Sequence, residues 1–146
     1  MPKEDLAYKF QKEPKVQLKP PLFASPVKAG FPSPADDSIE KKLDLNQFLI
    51  KHPSATFFVR VDGDSMKGAG IYDKDLLIVD RALSPKSGQI VVAVLNGEFT
   101  VKRVKIESNK VFLIPENPNF PLMEVTKDLD FQVWGVVTYA IHSCTV

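Results

Sequence analysis

Prolines divide this chain. Seven of the 12 fall in the first 40 residues: Pro2, Pro14, Pro20, Pro21, Pro26, Pro32 and Pro34. Proline fixes φ and removes an amide donor, so a stretch seeded with it resists both helix and central strand. The apolar residues between these prolines show no sustained period. Residues 1–40 are therefore predicted to form an extended arm, ordered only where it docks on something. Residues 41–146 are left to build the folded domain.

That domain opens with a short predicted helix. Asp44 can cap it, and Gln47 three residues later suits a capping box. Leu45, Phe48 and Leu49 follow at helical spacing and are expected to face a core, and Pro53 stops the helix. From Thr56 the pattern turns to β. Strands are predicted over Phe57–Val61, Leu76–Asp80, Ile90–Leu95, Phe99–Ile106, Lys110–Ile114 and Phe131–Ile141. They are rich in Val, Ile and Phe and separated by turn-forming residues. Asn96-Gly97 between two apolar runs signals a hairpin. Pro115-Glu116-Asn117-Pro118-Asn119 signals a loop. The expected fold is mostly β, a strongly bent sheet or partial barrel of short strands. It carries an extended N-terminal arm and one short helix.

Composition excludes several roles. The chain has 146 residues, 44% of them hydrophobic, enough for a core without disulfides. Its net charge of +1 gives no reason to expect bulk binding to nucleic acid or to acidic membranes. The single cysteine, Cys144, cannot form an intrachain disulfide and fits a reducing compartment. No segment reaches the roughly 20 apolar residues of a membrane-spanning helix. Met1-Pro2-Lys3-Glu4-Asp5 has acidic residues and no apolar run after it, unlike a signal peptide. A cytoplasmic protein is expected.

Chemistry can be sought at three places. Ser65 lies in Val61-Asp62-Gly63-Asp64-Ser65-Met66, at the end of an apolar strand. Gly63 lets the backbone turn sharply, which could expose the hydroxyl and aim backbone N–H groups at a developing oxyanion. Gly-Asp-Ser is equally a good turn and nothing more. Lys102 lies inside a β-run, sharing a face with Thr100, Val104 and Ile106. The other face carries Phe99, Val101, Arg103 and Lys105, so periodicity does not say which is buried. A neutral lysine amine can take a serine's proton, but free lysine has a pKa of about 10.4, so burial would have to lower it. Arg103 could not substitute, because a guanidinium does not deprotonate. An exposed strand lysine is the plain alternative. The third place is Ala29-Gly30, a bond flanked by small residues inside the arm, with Val27 two residues before it. A flexible linker reads the same way.

The histidines complete no triad with Ser65. His52 beside Pro53 suits a surface or helix-capping role, and His142 lies near the C-terminus. Neither has metal-ligand spacing. Asp73 and Asp75 look like a turn after Gly70. No cofactor or metal is expected.

Taken as an ordered set, these residues resemble a known family. The chain is similar to the self-cleaving SOS-response serine peptidases related to the LexA repressor (the S24 family), and most of all to the UmuD and MucA type. The resemblance rests on Ala29-Gly30-Phe31-Pro32-Ser33-Pro34-Ala35, Leu45-Asn46-Gln47 and His52-Pro53-Ser54-Ala55-Thr56. It continues through Gly63-Asp64-Ser65-Met66, Asp75-Leu76-Leu77-Ile78-Val79-Asp80, Gly97-Glu98-Phe99-Thr100-Val101-Lys102-Arg103 and Trp134-Gly135-Val136-Val137. It is weak over residues 1–20 and over His142–Val146.

The resemblance implies roles. Ser65 matches the nucleophile and Lys102 the neutral general base. Ala29-Gly30 matches the cleaved bond, and the Ser65 backbone N–H an oxyanion donor. The fold implied is that of the LexA C-terminal, signal-peptidase-like domain. The implied partners are a second copy in a homodimer, the RecA filament on single-stranded DNA as stimulator, and a Y-family DNA polymerase served by the trimmed form in translesion synthesis. Three other readings compete. A transcriptional repressor would need a helix-turn-helix, for which residues 1–40 are too short and proline-rich, so direct sequence-specific DNA binding is not expected. A membrane-linked signal peptidase would need an anchor. A non-catalytic polymerase-binding module would never cut.

Overall fold

The structure is a computed structural model that describes residues 18–32 and 34–145. Residues 1–17, Ser33 and Val146 lie outside them, and so does the first part of the expected arm. The chain forms two compact units, one ending at Phe48 and one beginning at Leu49.

In the first unit the arm pairs with itself. Strand β1 (Pro21–Phe23) runs antiparallel to β2 (Ile39–Lys42), matching Pro21 with Lys42 and Leu22 with Lys41. Pro21 is tolerated because it opens its strand in a two-stranded ribbon, in which each strand is an edge strand. Ala24 N–H donates to the Ser38 carbonyl at 2.7 Å, and Leu43 N–H to the Pro20 carbonyl at 2.7 Å. Part of the arm, predicted to be ordered only where it docks, is thus paired locally. Helix α1 (Leu45–Leu49) follows, and Asp44 Oδ1 caps it by accepting from Asn46 N–H at 3.0 Å and Gln47 N–H at 3.3 Å. Its expected core-facing stripe is corrected: Leu45 and Phe48 are 55% and 43% exposed. A helix of little more than one turn places few side chains on any one face.

The second unit is a seven-stranded antiparallel sheet. Its strands are β3 (Thr56–Arg60), β4 (Leu76–Asp80), β5 (Ile90–Leu95), β6 (Glu98–Glu107), β7 (Lys110–Ile114), β8 (Met123–Val125) and β9 (Phe131–Ile141). Their order is β3-β4-β9-β5-β6-β7-β8, so the sheet is open, with β3 and β8 at its edges. Two long strands make the bend. β6 pairs with β5 up to Arg103 and with β7 from Arg103 onward. β9 pairs with β4 and β5, with register shifts at Ile78/Val79 and Val92/Ala93. Such shifts add local twist. Asn96 and Gly97 join β5 to β6 with φ of 49° and 82°, the two positive angles a tight type I′ hairpin requires.

Apolar side chains pack on both faces of the sheet. Val61, Met66, Ile71, Leu77, Val79 and Val92 form one core, with Val101 and Trp134 packed against it. Val91, Ala93, Val104, Leu113 and Val136 form the other. Alternation explains the split along β5, where Val92 joins the first core and its neighbours Val91 and Ala93 the second. This resolves the mixed faces of β6: Val101 packs on one core and Val104 on the other.

Candidate active site

Ser65 sits on a turn that several independent contacts hold. β3 ends at Arg60, and Gly63 then takes φ 105°, a left-handed value costly for any residue with a Cβ. Gly63 N–H is fixed by Asp73 Oδ1 at 2.8 Å. Beyond Ser65, Met66 is 1% exposed and plugs the first core. Its carbonyl accepts from Ala69 N–H at 3.0 Å and Ile71 N–H at 3.2 Å across a 3₁₀ turn, Lys67–Ala69. Ser65 is thus held between a buried anchor and an exposed aspartate, Asp64, and is itself half-buried. It lines a cleft of about 180 Å³ whose walls include Val59, Met66, Val92, Phe99, Thr100 and Val101. The cleft runs along β6 to the residue before Lys102.

Lys102 lies on β6 opposite Val91, which is fully buried. The lysine is half-buried, and that desolvation lowers its pKa from the ordinary lysine value. Among the described residues no carboxylate forms an ion pair with it, so no ion pair offsets the desolvation. Its Nζ lies 5.9 Å from the Phe120 ring centroid. The neighbouring cation behaves differently: Arg103 pairs with Glu116 and donates from Nη1 to the Gly88 carbonyl at 2.5 Å.

One loop touches both places. Asn117 Nδ2 donates to the Asp64 carbonyl at 2.9 Å, and Gly68 N–H donates to the Glu116 carbonyl. The same loop carries Phe120 to Lys102. The Ser65 turn and Lys102 are therefore braced by one segment, although Ser65 and Lys102 are not hydrogen-bonded to each other. Catalytic hydrogen bonds are often long until a substrate is seated. The sequence had marked this segment only as a loop; its Pro-Asn-Pro spacing gave no sign of what it would touch.

Ala29 and Gly30 lie in the first unit, in the loop between β1 and β2. Both are exposed, as are Val27 (91%) and Phe31 (82%), and no atom would lie within 4 Å of a Cβ at Gly30. Ser25 Oγ donates to Asp36 Oδ2 at 3.0 Å near the base of this loop.

The histidines have work that sequence reasoning did not assign. His52 Nδ1 meets Asp80 Oδ2 at 2.6 Å, and His142 Nδ1 meets Asp75 Oδ1 at 2.6 Å. Both aspartates are buried, at the two ends of β4. Asp75 also accepts from Tyr72 N–H at 2.9 Å, which closes the turn expected there. Among the described residues no three His, Cys, Asp or Glu side chains converge as a metal site would need. No helix among them is long and apolar enough to cross a membrane.

The family is decided by comparison. A model of the S24-like peptidases matches residues 21–138. The chain belongs to the S24-like peptidase family. Within that family it is 48% identical to the protein SamA of Salmonella typhimurium over 132 residues, covering 90% of this chain and 91% of SamA. It is 42% identical to the protein MucA of Escherichia coli over 122 residues, 83% of each chain. It is also 45% identical to the LexA repressor of Pseudomonas chlororaphis over 111 residues, 75% of this chain and 54% of the repressor. The S24-like match runs from β1 nearly to the end of β9, so it takes in Ala29-Gly30, Ser65 and Lys102 together.

Proposed function

We propose that this S24-like peptidase cuts its own Ala29-Gly30 bond, with Ser65 as nucleophile and Lys102 as general base. The observation that carries the reading is Lys102, a half-buried lysine with no carboxylate partner among the described residues, on the strand that walls the Ser65 cleft. Desolvation favours the neutral amine, the only form able to accept a proton. Lys102 Nζ takes the Ser65 hydroxyl proton as Oγ bonds to the Ala29 carbonyl carbon. The Ser65 backbone N–H faces the resulting oxyanion. The tetrahedral intermediate collapses, the C–N bond breaks, and the Gly30 nitrogen leaves with the proton returned by Lys102. Water, deprotonated by Lys102, then releases Ala29 as a carboxylate and restores Ser65. No metal or cofactor takes part.

The products are residues 1–29 and the working body, residues 30–146. Likeness to the MucA type supports the rest: an SOS-response switch, working as a cytoplasmic homodimer, stimulated by a RecA filament on single-stranded DNA. The trimmed body then serves a Y-family polymerase in translesion synthesis. Purified protein incubated at alkaline pH should yield a fragment ending at Ala29, seen by mass spectrometry. Ser65→Ala and Lys102→Ala should both stay whole, and cutting by either variant at that bond would sink the mechanism. A chain that stays whole even with the RecA filament would instead be a binding module. Likeness to a LexA repressor motivates the second reading, and specific operator retention in a gel-shift assay would favour it.

A further inference from the structure

Resting on that reading of the site, the geometry points to Asn117 as the residue that positions the oxyanion donor. Asn117 Nδ2 donates to the Asp64 carbonyl at 2.9 Å. That carbonyl and the Ser65 N–H belong to the same peptide unit, which is planar and trans. Holding the oxygen on one side therefore fixes the N–H on the other. The Asp64 carbonyl has a second donor, Lys67 N–H at 3.2 Å, from within the turn. Asn117 ties it from outside, 53 residues away in sequence. Among the described residues, the Ser65 N–H itself donates to no protein acceptor, so it is free to receive a developing negative charge.

The amide of Asn117 has only one orientation here. Its Oδ1 accepts from Asn119 N–H at 3.0 Å while Nδ2 faces the Asp64 carbonyl. A flipped amide would set oxygen against oxygen and N–H against N–H. Neighbouring contacts hold the loop in place: Gly68 N–H on the Glu116 carbonyl, and Glu116 on Arg103. A Cβ at Gly68 would drive into the Glu116 carbonyl, so loop and turn are as close as backbone permits. Asn117 touches no reacting atom. It acts through the peptide that does.

Asn117→Asp separates this role from loop shape. The carboxylate keeps an acceptor for Asn119 N–H but loses the donor to Asp64. The plateau rate of self-cleavage at alkaline pH should fall about tenfold to a hundredfold, since a displaced catalytic group costs rate on that scale. Asn117→Ala should fall at least as far. The Ser65 amide resonance in a ¹H–¹⁵N spectrum of each full-length variant should move, while those of Leu77 and Leu113 in the two cores stay put. A wild-type plateau rate in Asn117→Asp overturns the assignment. So does a slow variant whose core resonances also move, because the loop is then only structural. Wild-type protein that fails to cut sinks the reading of the site instead, and the Ser65 amide shift alone then judges whether Asn117 orients that peptide.

Discussion

Lys102 carries a pH signature that can be worked out in sign. Burial lowers its folded pKa below the unfolded value of about 10.4. Between the two values the unfolded chain holds a proton that the folded chain has released, so stability rises with pH across that window. Below it the folded protein bears the cost of a desolvated ammonium. Lys102→Met should therefore raise the urea midpoint at pH 7 relative to wild type. The advantage should shrink toward pH 10.5; a constant offset between the two pH values would mean the effect is packing alone. Self-cleavage by wild type should climb with pH and level off at the folded pKa of Lys102, below the ordinary lysine value. Gly135 gives a steric counterpart, because a Cβ there would lie 2.6 Å from Val79 Cγ1. Gly135→Ala should cost about 1–3 kcal/mol in equilibrium unfolding. At this scale Ser65 and Lys102 stood out as a candidate pair only through their ordered neighbours. Asn117 did not stand out, because its partner, the Asp64 carbonyl, is brought to it by the fold.

Strand β4 is buried along nearly its whole length. Leu77, Ile78 and Val79 are at most 1% exposed, and a buried aspartate stands at each end. Burial alone would raise the Asp80 pKa; bonds from His52 and the Ala82 N–H outweigh it and leave it lowered. Its stabilising contribution is therefore present above the unfolded pKa of about 3.9 and lost as pH falls through the lower folded value. His52→Ala leaves Asp80 with one donor fewer and should cost about 1–3 kcal/mol at pH 7, measured by urea unfolding. The gap from wild type should close in acid, as Asp80 takes up a proton. Legibility at this scale followed burial. β4, β5, β7 and β9 could be read to the residue because long Val/Ile/Phe runs and the Asn96-Gly97 turn bound them. β2 could not, since Ile39-Glu40-Lys41-Lys42 is exposed throughout and pairs through backbone alone. β8 hid for another reason: three residues are too few to show an alternation, although Met123 and Val125 pack against the second core. The stripe of α1 misled because helical spacing says which side chains share a face, not whether anything covers it.

Among the described residues, every member of both cores comes from Phe57 or later, in the second unit. Residues 30–146 should thus unfold within about 5 °C of the full chain in calorimetry, a shift that corresponds to little more than 1 kcal/mol. A larger loss would show that the first 29 residues pack on the body. Mixing Ser65→Ala protein with a Gly30-substituted chain tests whether arms are exchanged, since product can form only if one chain serves the other's bond. The paired ribbon bears on what such a cut does next. β1 lies before Ala29 and β2 after Gly30, so hydrolysis would nick a closed loop whose two ends stay hydrogen-bonded to each other. Under the proposed cut, chemistry and dissociation would become separate events: the three-residue ladder, marginal on its own in water, would have to peel apart before the fragment could leave. A denaturing gel would then record the switch as thrown some time before the molecule had changed its surface.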